Sequence, residues 1–228
     1  MIRIIRTNCP KLLNESPVEG KIYRSEPVVN TLYEMQHGKC CYCEMKIPKS
    51  GPEKTVEHFR PQERDEFRLL RNDWRNLLLA CSGCNGSKGN NFPVNGQNQP
   101  LIIDPTDTSV DPDEHLEFIV TLDSDFLYGM VIERNSSETG RTTINTLKLD
   151  NQFLTGKRRD FVHQLCSHYY NMLVAMSNND KDDVESARAL LINCAKPTKE
   201  FSACAKEFIE KTKVNERYNK WLSTRTDN

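Results

Sequence analysis

The 228-residue sequence predicts an α+β protein with a small central module, short extra strands after it and a helical region at the C-terminal end. Two CxxC pairs, Cys40-x-x-Cys43 and Cys81-x-x-Cys84, enclose a compact segment, as is typical of metal-organised modules. Short apolar runs broken by Pro, Asp and Gly follow, and helical periodicity begins after Gly140. The predicted parts are a lead-in at 1–39, the module at 40–100, the strand extension at 101–140 and the helical region at 141–228, a candidate for partner docking.

The overall charge gives no sign of a surface that binds nucleic acid everywhere. Lysine and arginine number 31 against 32 acidic residues, a net charge of −1, so any affinity for a polyanion must be local. Charges and Pro10 interrupt the first apolar residues, and no later segment reaches the length of a membrane span. We therefore expect a cytosolic protein without a membrane partner, in a reducing environment where CxxC pairs indicate metal.

Local patterns predict the elements in chain order. A short apolar stretch, Ile2 to Ile5, precedes a helix that begins at Glu26 and stops at Gly38, a favoured C-terminal residue. After the module, the runs LIID, HLEFIVTL and FLYGMVIER predict strands. Three helical patterns follow, marked by Leu154, Phe161, Leu165, Tyr169 and Leu173, then by Val184, Ala187, Leu191 and Cys194, and last by Phe201, Ala205, Phe208 and Ile209.

The four paired cysteines are candidate ligands of one structural zinc ion. Each CxxC pair can present two thiolates, and two pairs complete the tetrahedral set that zinc prefers. The alternative is a set of buried thiols, since cysteine often behaves as a small apolar residue, but two pairs rarely arise by chance. Cys41 lacks the spacing of its neighbours, so we interpret it as a packing residue. Of the remaining cysteines, Cys166, Cys194 and Cys204 lie in helical patterns and are expected to be core thiols.

The stretch VEHFRPQ, residues 56–62, places Glu57 directly before His58 between the two pairs. In order, the module contains C-x2-C, V-E-H-F-R-P, W-x-N-L and C-x2-C-N-x2-K-G. This order resembles that of zinc-bearing HNH endonucleases. Their treble-clef-like ββα-metal fold carries a histidine on the first strand, an asparagine in the connecting region and an asparagine or histidine on the helix. The resemblance places these three at His58, Asn76 and Asn85, and it implies a phosphodiester hydrolase.

The chemistry of phosphodiester hydrolysis explains this combination. A water must be activated and the phosphate charge neutralised, so we assign His58 as the general base. Glu57 and Asn85 supply hard oxygen donors for a catalytic Mg2+ or Mn2+, and Asn76 is expected to hold the loop or ring of His58. Neighbouring strand residues point to opposite faces, so Glu57 and His58 can converge on one ion only if the strand ends there, as Pro61 suggests.

Two cations of the module are candidate substrate-binding residues. Lys88, three residues after Asn85, resembles the phosphate-contacting lysine of the family, with a solvated helix lysine as the alternative. Arg60 is interpreted as a contact to the substrate backbone, with an ion pair to an acidic residue of 63–66 as an equal alternative. The other histidines, His37, His115, His163 and His168, have no comparable context and are expected to be structural or surface residues.

A narrower resemblance extends from about residue 36 to residue 160. KCCYCE, VEHFRPQ, DWRNLLLACSGCNGSKGNNFP, LIIDPTD and TTINTLKLD together are similar to the PtuB family, the HNH component of Septu and retron-associated anti-phage systems. The resemblance implies a PtuA-type ATPase as partner and, in retron versions, a reverse transcriptase and its small DNA.

Two other functions stay open from the residues alone. A non-catalytic treble-clef module that binds nucleic acid or protein would not need His58, Asn76 or Asn85, and all three are present. A nuclease acting on RNA, for example on tRNA, would use the same phosphate chemistry, and no reader of the 2′-hydroxyl is recognisable. We therefore expect a nuclease with DNA as the favoured substrate and RNA as the alternative.

Overall fold

A computed structural model describes residues 1–14, 20–120 and 127–226 of the chain. The chain divides into two compact units. Unit 1 comprises Met1–Leu116 and Ile132–Asp150, and unit 2 comprises Glu117–Val131 and Asn151–Asn228. Helices and short strands occur together, and the ββα module described below carries the clustered cysteines, which confirms the predicted α+β fold class.

The elements differ in kind between the two units. Unit 1 contains the helices α1 (Lys11–Asn14), α2 (Glu26–Met35), α3 (Ser82–Lys88), α4 (Pro112–His115) and α5 (Glu138–Leu147). Unit 2 contains α6 (Gln152–Ser177), α7 (Lys181–Cys194), α8 (Ser202–Lys211) and α9 (Val214–Thr226). The strands are β1 (Thr55–His58), β2 (Leu77–Ala80), β3 (Leu116–Phe118) and β4 (Val131–Glu133), and short 3-10 helices occur at Ile22–Arg24, Asp65–Leu70, Trp74–Asn76 and Arg134–Ser136. Of the helices described, none combines the length and apolarity needed to cross a membrane.

β1 and β2 form an antiparallel pair that leads directly into α3, which is the predicted ββα order. Thr55 lies opposite Ala80, and His58 lies opposite Leu77. Every residue of β2 is buried, which explains its unbroken apolar run, since a strand covered on both faces need not alternate. The pair fixes His58 at the end of β1, and α3 then presents Asn85.

α2 connects the lead-in to the module. It begins at Glu26, as predicted, and ends at Met35. Gly38 follows with a φ of 65°, in the left-handed region that favours glycine. The side-chain amide of Gln36 donates to the Leu79 carbonyl and accepts from the Leu79 amide, so the end of α2 is joined to β2.

The prediction of a strand at residues 101–104 is wrong. Ile103 is buried there without regular pairing, and its amide donates to the Thr143 hydroxyl on α5 at 2.9 Å. A short apolar run predicts burial but does not determine backbone geometry, which explains the error. β3 and β4 occupy only part of the other two predicted runs. Residues 121–126, with the end of one run and the start of the other, lie outside the described residues.

The three predicted C-terminal helical patterns correspond to α6, α7 and α8, and each of these helices buries part of its apolar face. Unit 2 also contains α9, which the sequence did not predict because VNERYNKWLSTRT is mostly polar. Trp221 anchors α9 by donating its indole N–H to the Met176 carbonyl of α6 at 3.1 Å. Cys204 is buried, as expected of a core thiol, whereas Cys166 and Cys194 are half-buried.

Candidate active site and metal centre

The two CxxC pairs converge on one point. The Sγ atoms of Cys40, Cys43, Cys81 and Cys84 all lie within 4.8 Å of one another, and the described residues hold no other cluster of three or more His, Cys, Asp or Glu ligands. Four thiolates at about 2.3 Å from a tetrahedral zinc ion stand about 3.8 Å apart. The Cys43 and Cys81 sulfurs are 3.8 Å apart, so the geometry fits one zinc ion.

Local backbone structure presents these sulfurs. The turn of the first pair is closed by the Glu44 amide, which donates to the Cys40 carbonyl. The second pair begins α3, where the Cys81 sulfur accepts from the Cys84 amide at 3.4 Å. Burial raises the pKa of Cys40, but hydrogen bonds from neighbouring thiols outweigh it and hold that pKa well below its ordinary value. The pKa of Cys81 is lowered as well, whereas hydrogen bonds to Cys40 raise the pKa of Cys43 and of Cys84. The shared hydrogen bonds thus favour the thiolate, the form that binds metal, at Cys40 and Cys81.

Cys41 lies beside this cluster without belonging to it. Its side chain is buried, and its amide donates to the Leu79 carbonyl of β2 at 2.9 Å. Burial raises the pKa of the Cys41 thiol well above its ordinary value, so the group stays neutral. These observations place Cys41 in the core beneath the cluster.

A cleft of about 510 Å3 opens beside β1. His58 from β1 and Asn85 from α3 lie in its walls, and the 3-10 helix Ile22–Arg24 of the lead-in supplies residues to another wall. Lys54 and Glu63 add charged groups to the lining. Glu57 lines it as well, so the cleft brings together the predicted base, both predicted ligands of the catalytic ion and a segment from outside the CxxC module.

His58 is held in this cleft as a neutral base. Its Nε2 lies 2.8 Å from the Arg71 carbonyl oxygen, and because a carbonyl only accepts, Nε2 carries the hydrogen and Nδ1 keeps its lone pair. The Tyr23 ring packs edge-on against the imidazole, with ring centroids 4.6 Å apart. Burial, opposed by the bond to Arg71 and assisted by the charge of Lys88, lowers the pKa of His58 to about 4. The imidazole is therefore uncharged at neutral pH.

Glu57 has a different environment from the predicted one. Its Oε1 accepts from the Tyr42 hydroxyl at 3.1 Å and lies 2.7 Å from the Lys88 ammonium, and only 1% of the residue is exposed. Burial raises the pKa of Glu57, whereas Lys88 and Tyr42 act to lower it. Glu57 and His58 are consecutive on β1, yet both line the cleft, and His58 is the last residue of the strand. The assignment of Glu57 as a metal ligand stays a prediction: its Oε1 is held in a buried ion pair, and the residue also lines the cleft.

Lys88 is the partner in that pair and is not available to a phosphate. It is completely buried, and its ammonium also donates to the His58 carbonyl at 2.8 Å. α3 packs against β1, so the residue three positions after Asn85 points into the module rather than into solvent. Both sequence interpretations of Lys88, phosphate contact and solvated lysine, are therefore corrected.

Arg60 does not face the His58 cleft. Its guanidinium lies over the rings of Phe59 and Phe92, at 5.9 and 5.8 Å from their centroids, and it lines a separate cavity of about 360 Å3. Arg60 makes no ion pair within residues 1–14, 20–120 and 127–226, so the alternative pairing with residues 63–66 is absent there. Glu66 pairs instead with Arg64 at 3.7 Å.

Asn76 ties down the segment that follows His58. Its Oδ1 accepts from the Arg60 amide at 2.8 Å, and its Nδ2 donates to the carbonyls of Arg60 and Leu70 at 3.0 and 3.2 Å. Its backbone carbonyl accepts from the Phe59 amide at 3.0 Å. Because Asn76 is buried, it contacts the backbone beside the base and not the cleft.

Asn85 keeps an uncommitted oxygen at the cleft. Its Nδ2 donates to the Thr55 hydroxyl at 2.9 Å and to the Val56 carbonyl at 3.3 Å, which fixes the amide relative to β1. Its Oδ1 accepts no hydrogen bond from the part of the chain that the structure describes. Asn85, one of the two predicted ligands of the catalytic ion, thus has an oxygen available in the cleft.

Sequence reasoning missed Tyr23, Tyr42 and Arg71. Tyr23 precedes the module in the chain, so no motif marks its contact with His58. Arg71 contributes its backbone carbonyl, which any residue could supply. Tyr42 lies inside the first CxxC pair. A buried tyrosine needs a hydrogen-bond partner for its hydroxyl, and this need is the one sequence signal for its contact with Glu57.

Comparison with known proteins identifies the module. The HNH endonuclease family matches residues 40–91, which contain the four clustered cysteines, His58, Asn76 and Asn85. The Septu protein PtuB of Bacillus thuringiensis is 28% identical over 222 residues, which cover 89% of this chain and 79% of that protein. The Septu protein PtuB of Bacillus mycoides strain KBAB4 is 31% identical over 160 residues, 60% of this chain and 51% of that protein. Residues 40–91 form an HNH endonuclease domain, and most of the chain is similar to PtuB proteins.

This result confirms the predicted resemblance and the enzyme class. The Septu protein PtuA of the same Bacillus mycoides strain is also similar, at 26% identity over 166 residues, 62% of this chain and 21% of that protein. The family match ends before the strand extension and begins after the lead-in. Tyr23 and its 3-10 helix therefore lie outside the HNH region, although they line its cleft.

Proposed function

We propose that this nuclease is the effector of an anti-phage defence complex and hydrolyses phosphodiester bonds of nucleic acid, with DNA as the favoured substrate. The similarity to Septu proteins supports such a complex and a PtuA-type ATPase as partner. A retron reverse transcriptase and its small DNA are further candidate partners, supported by the sequence resemblance alone. The observation that carries the catalytic proposal is the neutral His58 in the cleft, with its lone pair on Nδ1.

In this proposal, His58 is the general base. Its Nδ1 takes a proton from water as the water oxygen attacks phosphorus, and the bond from Nε2–H to Arg71 holds the ring in the required tautomer. Tyr23 restricts rotation of the imidazole from one side. Asn76 holds the adjoining backbone, so the base keeps its position when substrate binds.

A divalent ion such as Mg2+ or Mn2+, when bound, supplies charge neutralisation at the phosphate and stabilises the departing O3′. The donors in the cleft fit a weakly held ion of this kind. Asn85 offers one oxygen, and Mg2+ commonly keeps several waters and takes other oxygens from substrate phosphate. Glu57 also lines the cleft and is the second candidate donor, although its Oε1 is bound to Lys88 and Tyr42. The zinc ion is structural in this proposal, because four thiolates complete its coordination.

The substrate is tested with the complete complex. The wild-type chain, assembled with the ATPase partner that it requires, should be incubated with separate pools of DNA and RNA. We expect DNA cleavage in Mg2+ or Mn2+, its loss after mild EDTA treatment, and its recovery when the ion is returned. Cleavage confined to RNA would assign the enzyme to the alternative substrate.

The base is tested by substitution. His58→Ala should lower the cleavage rate by about 100-fold or more, the usual scale of acid–base catalysis. His58→Gln keeps a donor for the Arg71 carbonyl, so it separates loss of the base from loss of packing. His168→Ala, on α6, is the matched control and should cleave at the wild-type rate. If both His58 variants retain zinc, fold and the wild-type cleavage rate, His58 is not the base. Full cellular activity of the His58 variants would favour the non-catalytic binding module.

A further inference from the structure

We propose that Arg24 and Lys54 form a clamp for the phosphodiester backbone in the His58 cleft. This inference rests on the proposed function and adds to it the residues that hold the substrate. It also gives the lead-in a role in the enzyme, because Arg24 belongs to the 3-10 helix Ile22–Arg24, outside the HNH region at 40–91.

The positions of these two cations in the cleft are the first observation that supports the clamp. Among the described residues that line the cleft, the basic side chains are one arginine, Arg24, and one lysine, Lys54. They reach it from separate segments, Arg24 from the lead-in and Lys54 from the residues just before β1. A nucleic-acid strand in the cleft would therefore meet positive charge from two segments as it approached His58.

Both cations are held in place but not neutralised. The Arg24 guanidinium lies 5.4 Å from the Tyr23 ring centroid, and the Lys54 ammonium lies 5.8 Å from the Tyr33 ring centroid. Neither donates a hydrogen bond or joins an ion pair within the described ranges. A stacked cation of this kind keeps its N–H donors for an anion, which is the arrangement that phosphate binding requires.

Tyr23 makes the Arg24 position rigid. Its amide donates to the Asn72 Oδ1 at 3.2 Å, and its hydroxyl accepts from the Gln62 Nε2 at 3.1 Å. The same ring packs against His58. One buried side chain therefore contacts both the base and Arg24, which places the phosphate-binding group beside the reacting atom.

The remaining charges of the cleft favour an anion. The charge of Glu57 is balanced by Lys88 at 2.7 Å, so Glu63 is the unpaired acidic side chain among the described lining residues. Two cations thus face one free carboxylate in the cleft, although the whole chain has a net charge of −1. A nuclease with a near-neutral composition requires such a local excess of positive charge. In this proposal Arg24 and Lys54 take the place of Lys88 and Arg60, the substrate contacts that the sequence predicts.

The test is a salt-dependent binding measurement on the full chain. Labelled duplex DNA, single-stranded DNA and RNA oligonucleotides are titrated with His58→Ala protein, which binds without cleaving, at several salt concentrations. Each phosphate contact contributes about 0.9 to the slope of log Kd against log salt for duplex DNA and about 0.7 for single strands. Arg24→Gln with Lys54→Gln should therefore reduce the slope by about 1.8 or 1.4, and should weaken binding by about tenfold or more at low salt.

The matched control is Lys49→Gln with Arg68→Gln, two exposed cations of unit 1 outside the cleft lining, which remove the same charge. This control should leave slope and Kd close to those of the His58→Ala parent. In the active background, Arg24→Gln with Lys54→Gln should raise KM and leave kcat nearly unchanged, as expected for a contact made equally in the ground and transition states.

The outcomes separate the clamp from the proposed function. An unchanged slope in Arg24→Gln/Lys54→Gln, an equal loss in the control pair, or no oligonucleotide binding by the parent chain overturns the clamp. If the wild type is active and the clamp variants behave like it, the clamp alone is rejected. Full activity of the His58 variants rejects His58 as the base, and no cleavage of DNA or RNA by the complete complex rejects the proposed function. The DNA and RNA arms show which backbone the clamp holds more tightly.

Discussion

At the scale of single residues, the environment of His58 sets the pH range of the enzyme. Burial lowers the pKa of His58 from 6.5 to about 4. A protonated imidazole cannot accept a proton, so activity is lost as pH falls through the folded-state pKa and not through the ordinary one. We expect kcat/KM of the wild type, measured with one oligonucleotide substrate, to show its acidic decline near that lower value.

Stability has to be followed in the same experiment. In the unfolded chain His58 regains its ordinary pKa, so below about pH 6.5 the unfolded state binds a proton that the folded state does not. The free energy of unfolding therefore decreases as pH falls from 6.5 to 4, by up to about 3 kcal/mol from this group. Far-UV circular dichroism at each pH separates unfolding from titration of the base. A decline centred near pH 6.5 with the fold intact would contradict a buried, neutral His58.

Lys88 illustrates what residue type and spacing leave undetermined. Its place three residues after Asn85 predicts a shared helix side, but not whether that side faces solvent or β1. In the folded chain the ammonium lies 2.7 Å from Glu57, and a buried charge of this kind is tolerated only when it is paired. The pairing joins two elements that are distant in sequence, so it could not be derived from either motif alone.

At the scale of elements, Asn76 holds the chain between the end of β1 and the 3-10 helix Asp65–Leu70. Asn76→Ala removes three side-chain hydrogen bonds to the backbone of Arg60 and Leu70. We expect a loss of about 1–3 kcal/mol in the free energy of unfolding, because buried backbone groups lose their partners. kcat should fall by about tenfold or more, because the base is less well positioned.

Hydrogen exchange localises this effect. The Arg60 amide bonds to the Asn76 side chain and should exchange much faster in the variant, whereas the Phe59 amide bonds to the backbone carbonyl at position 76 and should change less. Asn95→Ala is a matched control, since its side chain also accepts from backbone amides, but in the turn that contains Gln97 and Gln99. Unchanged exchange at Arg60 would show that Asn76 does not hold this segment.

The elements that the sequence predicts well are those encoded by short spacing. The CxxC pairs, the start of α2 at Glu26 and the helical faces of α6, α7 and α8 depend on residues a few positions apart. The apolar run at 101–104 is buried without being a strand, and α9 is a polar sequence anchored through Trp221. In both cases tertiary contacts determine the backbone conformation. The contact of Tyr23 with His58 is also tertiary, so local sequence patterns do not predict it.

At the scale of the whole molecule, the two units have different sources of stability. Unit 1 contains the cysteine cluster and the short β1–β2 pair, with four residues in each strand. A module with so little regular structure commonly depends on its metal for folding. Unit 2 contains α6, α7 and α9, with 26, 14 and 13 residues, and α6, α7 and α8 bury apolar faces of their own. No metal cluster lies among the described residues of unit 2.

Removal of zinc should therefore unfold the module of unit 1 and leave the helices of unit 2 largely folded. A strong chelator should abolish cleavage, release about one zinc ion per chain and remove the near-ultraviolet signal of Trp74, which is buried beside β2. The far-ultraviolet signal at 222 nm should mostly persist, because the three longest helices belong to unit 2.

Cys81→Ala should reproduce this state without chelator. Cys204→Ala, which removes a buried thiol of α8 outside the cluster, should keep its zinc and its activity. Loss of the 222 nm signal in step with zinc would show that the helices also depend on the metal centre, whereas full activity after complete zinc removal would contradict a structural role for the ion.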